Sequence, residues 1–373
     1  MKDNFFTRIT QLKRLWFITL IPVSLIILLI AQKSTWFAEV IFARGIYKAV
    51  SHGIAMLTGL FPFSIAEWIM ILGPIALTAL IIIFIIRLII RKQDVKFRII
   101  KFFINVICIL SFGFFLYTIG CGVNYYRESI SVSLGLTIQP SSEDELFELC
   151  KDLVIRANEL RASITSVNDE GVYELSMSKR ELAKEVQNAY KKIANELAVF
   201  SGWYPKSKPV FFSRILSRME ITGIFIPFTM EANVNVDIPE YSIASTMCHE
   251  LAHLQGFMRE DEANYIAYLV TTSSDNVELA YSGIMEALIL AGNALYDKNK
   301  ELYYQLKDMY SEGVISDLVA NNLYWKQFED TVVSTVANIV NDTYLKVNNQ
   351  TDGVQSYGRM VDLLLAEYRN KKN

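Results

Sequence analysis

The chain has 373 residues, is 52% hydrophobic, and carries 36 basic against 39 acidic residues for a formal net charge of −3, with only three histidines and four cysteines. That balance, with no basic aromatic stripe and no phosphate-cradling glycine loop, argues against nucleic-acid binding and nucleotide chemistry. The apolar residues concentrate before about residue 127, so composition divides the chain into a membrane region, 1–127, and a more polar region, 128–373, long enough for one sizeable domain.

Three uncharged stretches, 15–31, 68–86 and 102–126, each approach or exceed the ~17–25 residues a helix needs to cross a bilayer. Lys13 and Arg14 precede the first as in a signal peptide, but the segment from Ala31 to Trp36 is a poor cleavage site. Arg87, Arg91, Lys92, Lys96, Arg98 and Lys101, against Asp94 alone, cluster between the second and third stretches, and Lys2, Arg8, Lys13 and Arg14 precede the first. The first loop carries only Lys33, Arg44 and Lys48 with Glu39. The positive-inside rule then predicts a multi-pass protein with a cytoplasmic amino terminus and an extracytoplasmic region 128–373. Cys108 and Cys121 fall in the third stretch, whereas Cys150 and Cys248 lie outside, where a disulfide is permitted.

The second region reads as mainly helical with a small sheet. Ser142 and Ser178 each stand three residues before a glutamate, Glu145 and Glu181, which predicts two capping boxes opening amphipathic helices. Strands are expected at 209–212, at 223–228, and at 231–236, where Asn233 and Asn235 alternate with apolar residues.

His249, Glu250 and His253 form the run HELAH. Two of the three histidines of the chain lie here, inside a segment whose Ile243, Met247, Leu251 and Leu254 mark a buried helix. Residues i and i+4 on a helix share a face with their Cβ atoms about 5–6 Å apart, so both imidazoles can bind one zinc ion, and Glu250 stands where its carboxylate can take a proton from a metal-bound water. Catalytic zinc takes three protein ligands, and the remaining histidine, His52, lies in the membrane region. The third ligand is therefore expected to be a carboxylate, with a cysteine the weaker option. Past the helix-ending Gly256, the run Glu260-Asp261-Glu262-Ala263-Asn264 starts a second helix with acids in its first turn. Glu260 and Asn264 share one face of that helix, and Glu262 points about 200° away from Glu260, so one of the two glutamates faces the metal and Asn264 can hydrogen-bond a ligating histidine.

HELAH followed by this acidic run resembles the HExxH plus ExEAD pattern of gluzincin metallopeptidases, including HtpX-like and CAAX-prenyl membrane proteases. The resemblance implies Glu260 as third ligand, with Asn264 in place of the supporting Asp. The spacing after His253 is shorter than in those proteases and Asn replaces Asp, which leaves Glu262 open as the alternative ligand. Gly256 resembles the turn of HExxHxxGxxH proteases, but Arg259 stands where their third histidine would be. Over the whole chain, the stretches GIFIPFTMEANVN, HELAHLQGFMREDEAN, YSG and NNQTDGVQSYG resemble an uncharacterised bacterial family of three-helix membrane proteins, a domain of unknown function (3810). That resemblance implies architecture, metal site and a bacterial inner-membrane location, and no substrate.

By the zincin resemblance, the Asn-bearing strand, with Asn233 and Asn235, is expected to lie along the cleft and bind substrate. Tyr281 and Tyr357, in polar stretches of the carboxy-terminal third, are candidates to donate to an oxyanion. The resulting expectation is a membrane protein, mainly α, with three amino-terminal transmembrane helices followed by an α+β zincin-like domain. Its expected function is that of a zinc metalloendopeptidase, with Zn2+ as cofactor and a peptide or protein substrate outside the cytoplasm. The alternatives are a non-catalytic receptor or scaffold of the same shape, and a zinc hydrolase acting on non-peptide envelope material.

Overall fold

Long runs of isoleucine, leucine and phenylalanine with no polar face are stable as helices only where lipid or protein surrounds them. A computed structural model describes residues 9–91 and 93–372 of the chain. Lys2, Arg8 and Lys92 of the basic clusters lie outside the described residues. The fold is mainly helical with a small three-stranded sheet. Helix α1, Leu20–Lys33, continues a 3-10 turn, Lys13–Thr19, and α2, Lys48–Thr58, continues a π-helical stretch, Phe37–Tyr47. They are followed by α3, Ile65–Ile90, and α4, Val95–Gly120.

Among the described residues four helical segments are long and apolar enough to cross a membrane: Lys13–Lys33, Ile65–Ile90, Val95–Gly120 and Val277–Lys298. The most apolar windows of the first three are 11%, 0% and 11% buried, and that of the fourth is 61% buried. The first three turn their apolar surface outward, whereas the fourth is wrapped by protein. Helix α4 starts inside the basic segment and stops at Gly120, short of the expected end at residue 126. A Cβ at Gly120 would stand 3.1 Å from the Cβ of Pro227, and the residues that follow form a 3-10 turn, Gly122–Tyr126, whose Val123 and Tyr125 enter the main core.

Ala38, Phe42, Tyr47 and Ala55, between the first two apolar segments, belong to that same core. Glu39 is buried there against Arg127, with Nε–Oε2 at 2.8 Å and Nη2–Oε1 at 3.0 Å, and the guanidinium lies 4.0 Å from the centre of the Phe257 ring. Burial opposes the charge on Glu39, but the hydrogen bonds and charge of Arg127 outweigh it and hold the carboxyl below its ordinary value. Removing Glu39 would strand Arg127 inside the protein, at about 3–5 kcal/mol, whereas removing Arg127 leaves Glu39 its second partner, Arg44, with Nε–Oε1 at 2.8 Å.

Helices α5, Glu143–Ala162, and α6, Lys179–Glu196, begin at the expected serines. Ser178 and Glu181 form the full reciprocal box. Ser142 accepts from the N–H of Glu145, but the Glu145 carboxylate turns to Arg369, so only half of that box exists. The strands are β1, Lys208–Pro209, β2, Gly223–Ile226, and β3, Glu231–Val234, in the order β1-β3-β2 with β1 parallel and β2 antiparallel to β3. The stretch expected as a strand through residue 212 leaves the sheet early because the N–H groups of Phe211 and Phe212 bond the Glu67 carboxylate on α3, at 3.0 and 2.8 Å. Glu231 in turn accepts from the N–H groups of Ile65 and Ala66, at 3.0 and 2.7 Å, and pairs with Lys208. The sheet is thus fastened to the amino-terminal end of an apolar helix, where a carboxylate also complements the helix dipole.

The remaining long helices are α7, Glu240–Leu254, α8, Glu260–Thr272, α9, Val277–Lys298, α10, Glu312–Lys326, α11, Val332–Val347, and α12, Met360–Lys372. Helix α7 is buried along nearly its whole length and packs on α8, α9, β2 and β3. It ends at Gly256, where φ is +89° and a Cβ would stand 3.0 Å from Asn124 Nδ2 and 3.1 Å from the Tyr47 ring. Tyr47 donates its hydroxyl to the Leu254 carbonyl at 3.0 Å, satisfying an acceptor that the helix itself leaves open. All four cysteines are free and buried, Cys248 on α7 among them.

Candidate metal centre

One helical turn separates His249 from His253 on α7, and the first residue of α8 brings Glu260 opposite them. The two Nε2 atoms stand 3.0 Å apart, and Glu260 Oε2 lies 3.1 Å from that of His249 and 3.4 Å from that of His253. The far nitrogens are fixed: His249 Nδ1 is 2.7 Å from Asn264 Oδ1, and His253 Nδ1 is 2.7 Å from the Phe257 carbonyl oxygen. An oxygen acceptor on Nδ1 fixes the proton there, so each Nε2 turns a lone pair inward. Glu260 Oε2 is buried and makes no hydrogen bond. Three electron-pair donors facing one another repel unless a proton or metal ion lies between them. Tetrahedral zinc ligands at ~2.0–2.1 Å from the ion stand about 3.3 Å from each other, the spacing found here within a few tenths of an ångström. Among the described residues His249, His253 and Glu260 are the cluster that could hold a metal ion, with all ligand atoms within 4.8 Å of one another.

The same cluster is electrostatically strong without a metal. Burial disfavours charge on both partners, yet Glu260 pulls the His253 imidazole up to about 9, and the two histidines hold the Glu260 carboxyl well below its ordinary value. Glu250 is buried beside the cluster, and burial, the largest influence, pushes its carboxyl up to about 7 against the opposing pull of both histidines. Its carboxylate takes the N–H of Phe225 on β2 and packs over Gly223. A Cβ at Gly223 would come within 2.5 Å of Glu250 Oε1 and 2.8 Å of Thr246 Cγ2. Glycine is required here for close approach, which the sequence alone did not signal. The variant Gly223→Ala is expected to lose about 1–3 kcal/mol of stability, since a Cβ there forces Glu250 and Thr246 aside. Denaturant unfolding beside the wild type checks it; an unchanged midpoint would mean that the close approach does not require glycine.

Other expected residues separate into two groups. Asn264 lies at the centre as described. Tyr357 stacks on His249 with centroids 6.5 Å apart and planes 20° apart, and its hydroxyl faces Glu260 and Asn341. Burial, then the charges of Glu260 and Glu250, push its ionisation far up, so it remains a hydrogen-bond donor. Tyr281 is elsewhere: its hydroxyl donates to Asp317 at 2.6 Å, in a buried network with Arg161, and it does not reach the centre. Glu262 is also removed from it, because Glu262 Oε1 accepts from Ser129 Oγ at 2.9 Å, from the Ile130 N–H at 2.8 Å and from Arg259 at 2.6 Å.

Asn233 and Asn235 are not available to a substrate either. Both are buried, Asn233 donating to the carbonyls of Ile224 and Glu231, and Asn235 to Ser217 Oγ and the Ile221 carbonyl. Their strand, β3, is central and has a neighbour on each edge. The free edge beside the histidines belongs to β2, whose Phe225 ring lies 6.4 Å from that of His253. Glu286 was not anticipated: α7 and α9 are held by Ser282 Oγ accepting from the Ser245 N–H at 2.9 Å, and one turn further along Glu286 faces His249. An isolated acid in the apolar run of α9 was the available signal.

The family described as Protein of unknown function (DUF3810) matches residues 42–365. No curated protein and no solved structure matches the chain.

Proposed function

We propose that this chain, which belongs to the DUF3810 family, is a membrane-anchored zinc metallopeptidase whose three outward-facing apolar helices, α1, α3 and α4, span a bacterial inner membrane with the catalytic part outside the cytoplasm. The observation that carries the proposal is the convergence of His249, His253 and Glu260 with both Nδ1 atoms anchored, since such anchoring sets the tautomer a metal needs. Zinc held by these three residues supplies a Lewis acid and a bound water of lowered pKa. Glu250 is the proton acceptor: its carboxylate is adjacent to the donors without being one, and a buried carboxyl near neutrality can both take a proton and return it to the leaving amine. An extended peptide runs along the outer edge of β2, beside the Phe225 N–H that Glu250 takes, edge addition being a usual way for a strand to recruit chain. Tyr357 donates to the developing oxyanion, and Asn264 and the Phe257 carbonyl hold the imidazoles in register.

The test is made on the full-length protein in lipid vesicles, with metal analysis and digestion of a peptide library, before and after chelation. One zinc per chain, chelator-sensitive cleavage and recovery on zinc addition are expected. Stoichiometric zinc without cleavage of any peptide would leave the receptor or scaffold alternative standing.

A further inference from the structure

Helix α11 has its amphipathicity reversed. Its inner face is Ser334, Ala337, Asn341 and Leu345, continued by Asn348, whereas Val332, Val336, Ile339, Val340 and Val347 point outward at 81%, 55%, 62%, 62% and 76% exposure. The only charges among its 16 residues, Asp342 and Lys346, neutralise each other at 2.7 Å. A helix on a water-facing surface carries the opposite pattern.

The surroundings say what covers this face. At its carboxy-terminal end, Tyr344 meets Tyr125 at 3.1 Å and Asn348 accepts from Tyr117, in the last turn of α4. At mid-length Asn338 donates to Glu220 at 2.7 Å, in the turn that closes the short helix Ser213–Arg218. That segment follows Phe211 and Phe212, which are tied to the first turn of α3, and Phe228 adjoins the Pro227 that abuts Gly120. Phe211, Phe212, Ile215 and Phe228 are all exposed. The outward stripe therefore adjoins the ends of two apolar helices and further exposed apolar side chains at their level.

We propose that α11 lies in the outer interface of the bilayer with its valine and isoleucine stripe among lipid, so that the centre beside it serves polypeptides held at the membrane surface. The same helix positions the centre: Asn341, on its inner face, reaches the Tyr357 hydroxyl, and Asp342 accepts from the Val354 N–H at 3.3 Å in the 3-10 turn, Gly353–Arg359, that carries Tyr357. Seating the stripe in lipid, as amphipathic helices do ~5–10 Å into the headgroup boundary, thereby fixes the residue stacked on His249. The substrate class rests on the peptidase proposal; the lipid contact does not.

Both are tested on the full-length protein in phosphatidylcholine–phosphatidylglycerol vesicles. Val336→Cys and Val340→Cys, labelled with an environment-sensitive fluorophore while the native cysteines stay buried, are expected to lose most of their emission when the lipids carry a nitroxide on the acyl chain. A label at Asp275→Cys, whose side chain is 92% exposed, is expected to be unaffected. Stripe labels that behave like the Asp275 label, or that are shielded from water yet untouched by the nitroxide, overturn the lipid contact, the second outcome marking a protein neighbour instead. In the second arm, wild type is expected to cut an acylated peptide library about tenfold or more faster than the same library without the acyl chain, the gain that colocalisation supplies. The Val336→Asp/Val340→Asp variant should keep its zinc and cut the two libraries at equal rates. Equal rates from wild type on the two libraries overturn the substrate class. A zinc-loaded wild type that cuts neither library defeats the peptidase proposal, and the quenching result then decides the lipid contact alone.

Discussion

Glu250→Gln is expected to bind one zinc per chain, to unfold at the wild-type temperature or above, and to lose about 10²–10⁴-fold in peptide hydrolysis, the usual contribution of a positioned general base. The amide has the shape of the carboxylate it replaces, so the tight contact with Gly223 and Thr246 survives. The oxygen that takes the Phe225 N–H survives too. Metal retention follows because Glu250 lies outside the donor set of His249, His253 and Glu260. A buried carboxyl already pushed up by desolvation also gives up little when it becomes permanently neutral, which is why stability should not fall. What the amide cannot do is hold a proton taken from water. Zinc content by elemental analysis, melting temperature and turnover on one preparation separate these effects, and a fully active glutamine variant would exclude Glu250 as the base.

The second large effect distinguishes the two neighbouring glutamates. Glu260→Ala is expected to lose zinc altogether, because its carboxylate is the only anionic member of the donor set and two imidazoles alone hold zinc weakly. Glu262→Ala is expected to keep zinc and to lose stability instead. Its carboxylate satisfies the Ile130 N–H and the Ser129 hydroxyl and balances Arg259, and unsatisfied buried donors cost about 1–3 kcal/mol each. The measurement is zinc content beside melting temperature for both variants. Zinc lost from the Glu262 variant and retained by the Glu260 variant would reverse the assignment.

These two glutamates also show where the sequence stops being informative. HELAH was legible because histidine is scarce in the chain and the spacing is fixed by helix geometry. The acids after it were legible as a group, since a helix start favours them, but choosing between Glu260 and Glu262 depended on the Ile130 N–H, 132 residues distant in the chain. The contact of Asn264 with His249 was legible because i and i+4 on α8 place it beside Glu260, whereas Phe257 meets His253 through a carbonyl that every residue possesses. Tyr281 and Tyr357 were indistinguishable as tyrosines in polar stretches; a buried aspartate claims the first and the imidazole face claims the second. The strand nearest the centre was misjudged for a similar reason. Alternation marks β3 as a strand, but which edge stays open depends on the order of strands in the sheet. Long apolar helices were the most legible feature, and the embedding of the helical segment around Glu39 and Tyr47 in the main core the least, because its residues look like any membrane-proximal connection.

That segment bears on how far the two halves of the chain can be separated. The end of α7 is completed by the Tyr47 hydroxyl and by the Gly256 turn that closes against Tyr47, Asn124 and Arg127, residues that lie among or just beyond the apolar helices. Recombination that joined residues 128–373 to a different anchor would discard every one of those contacts at once. The segment around Glu39 and Tyr47 and the end of α7 are therefore one packed unit, and a substitution at Tyr47 acts directly on the helix that carries His249 and His253.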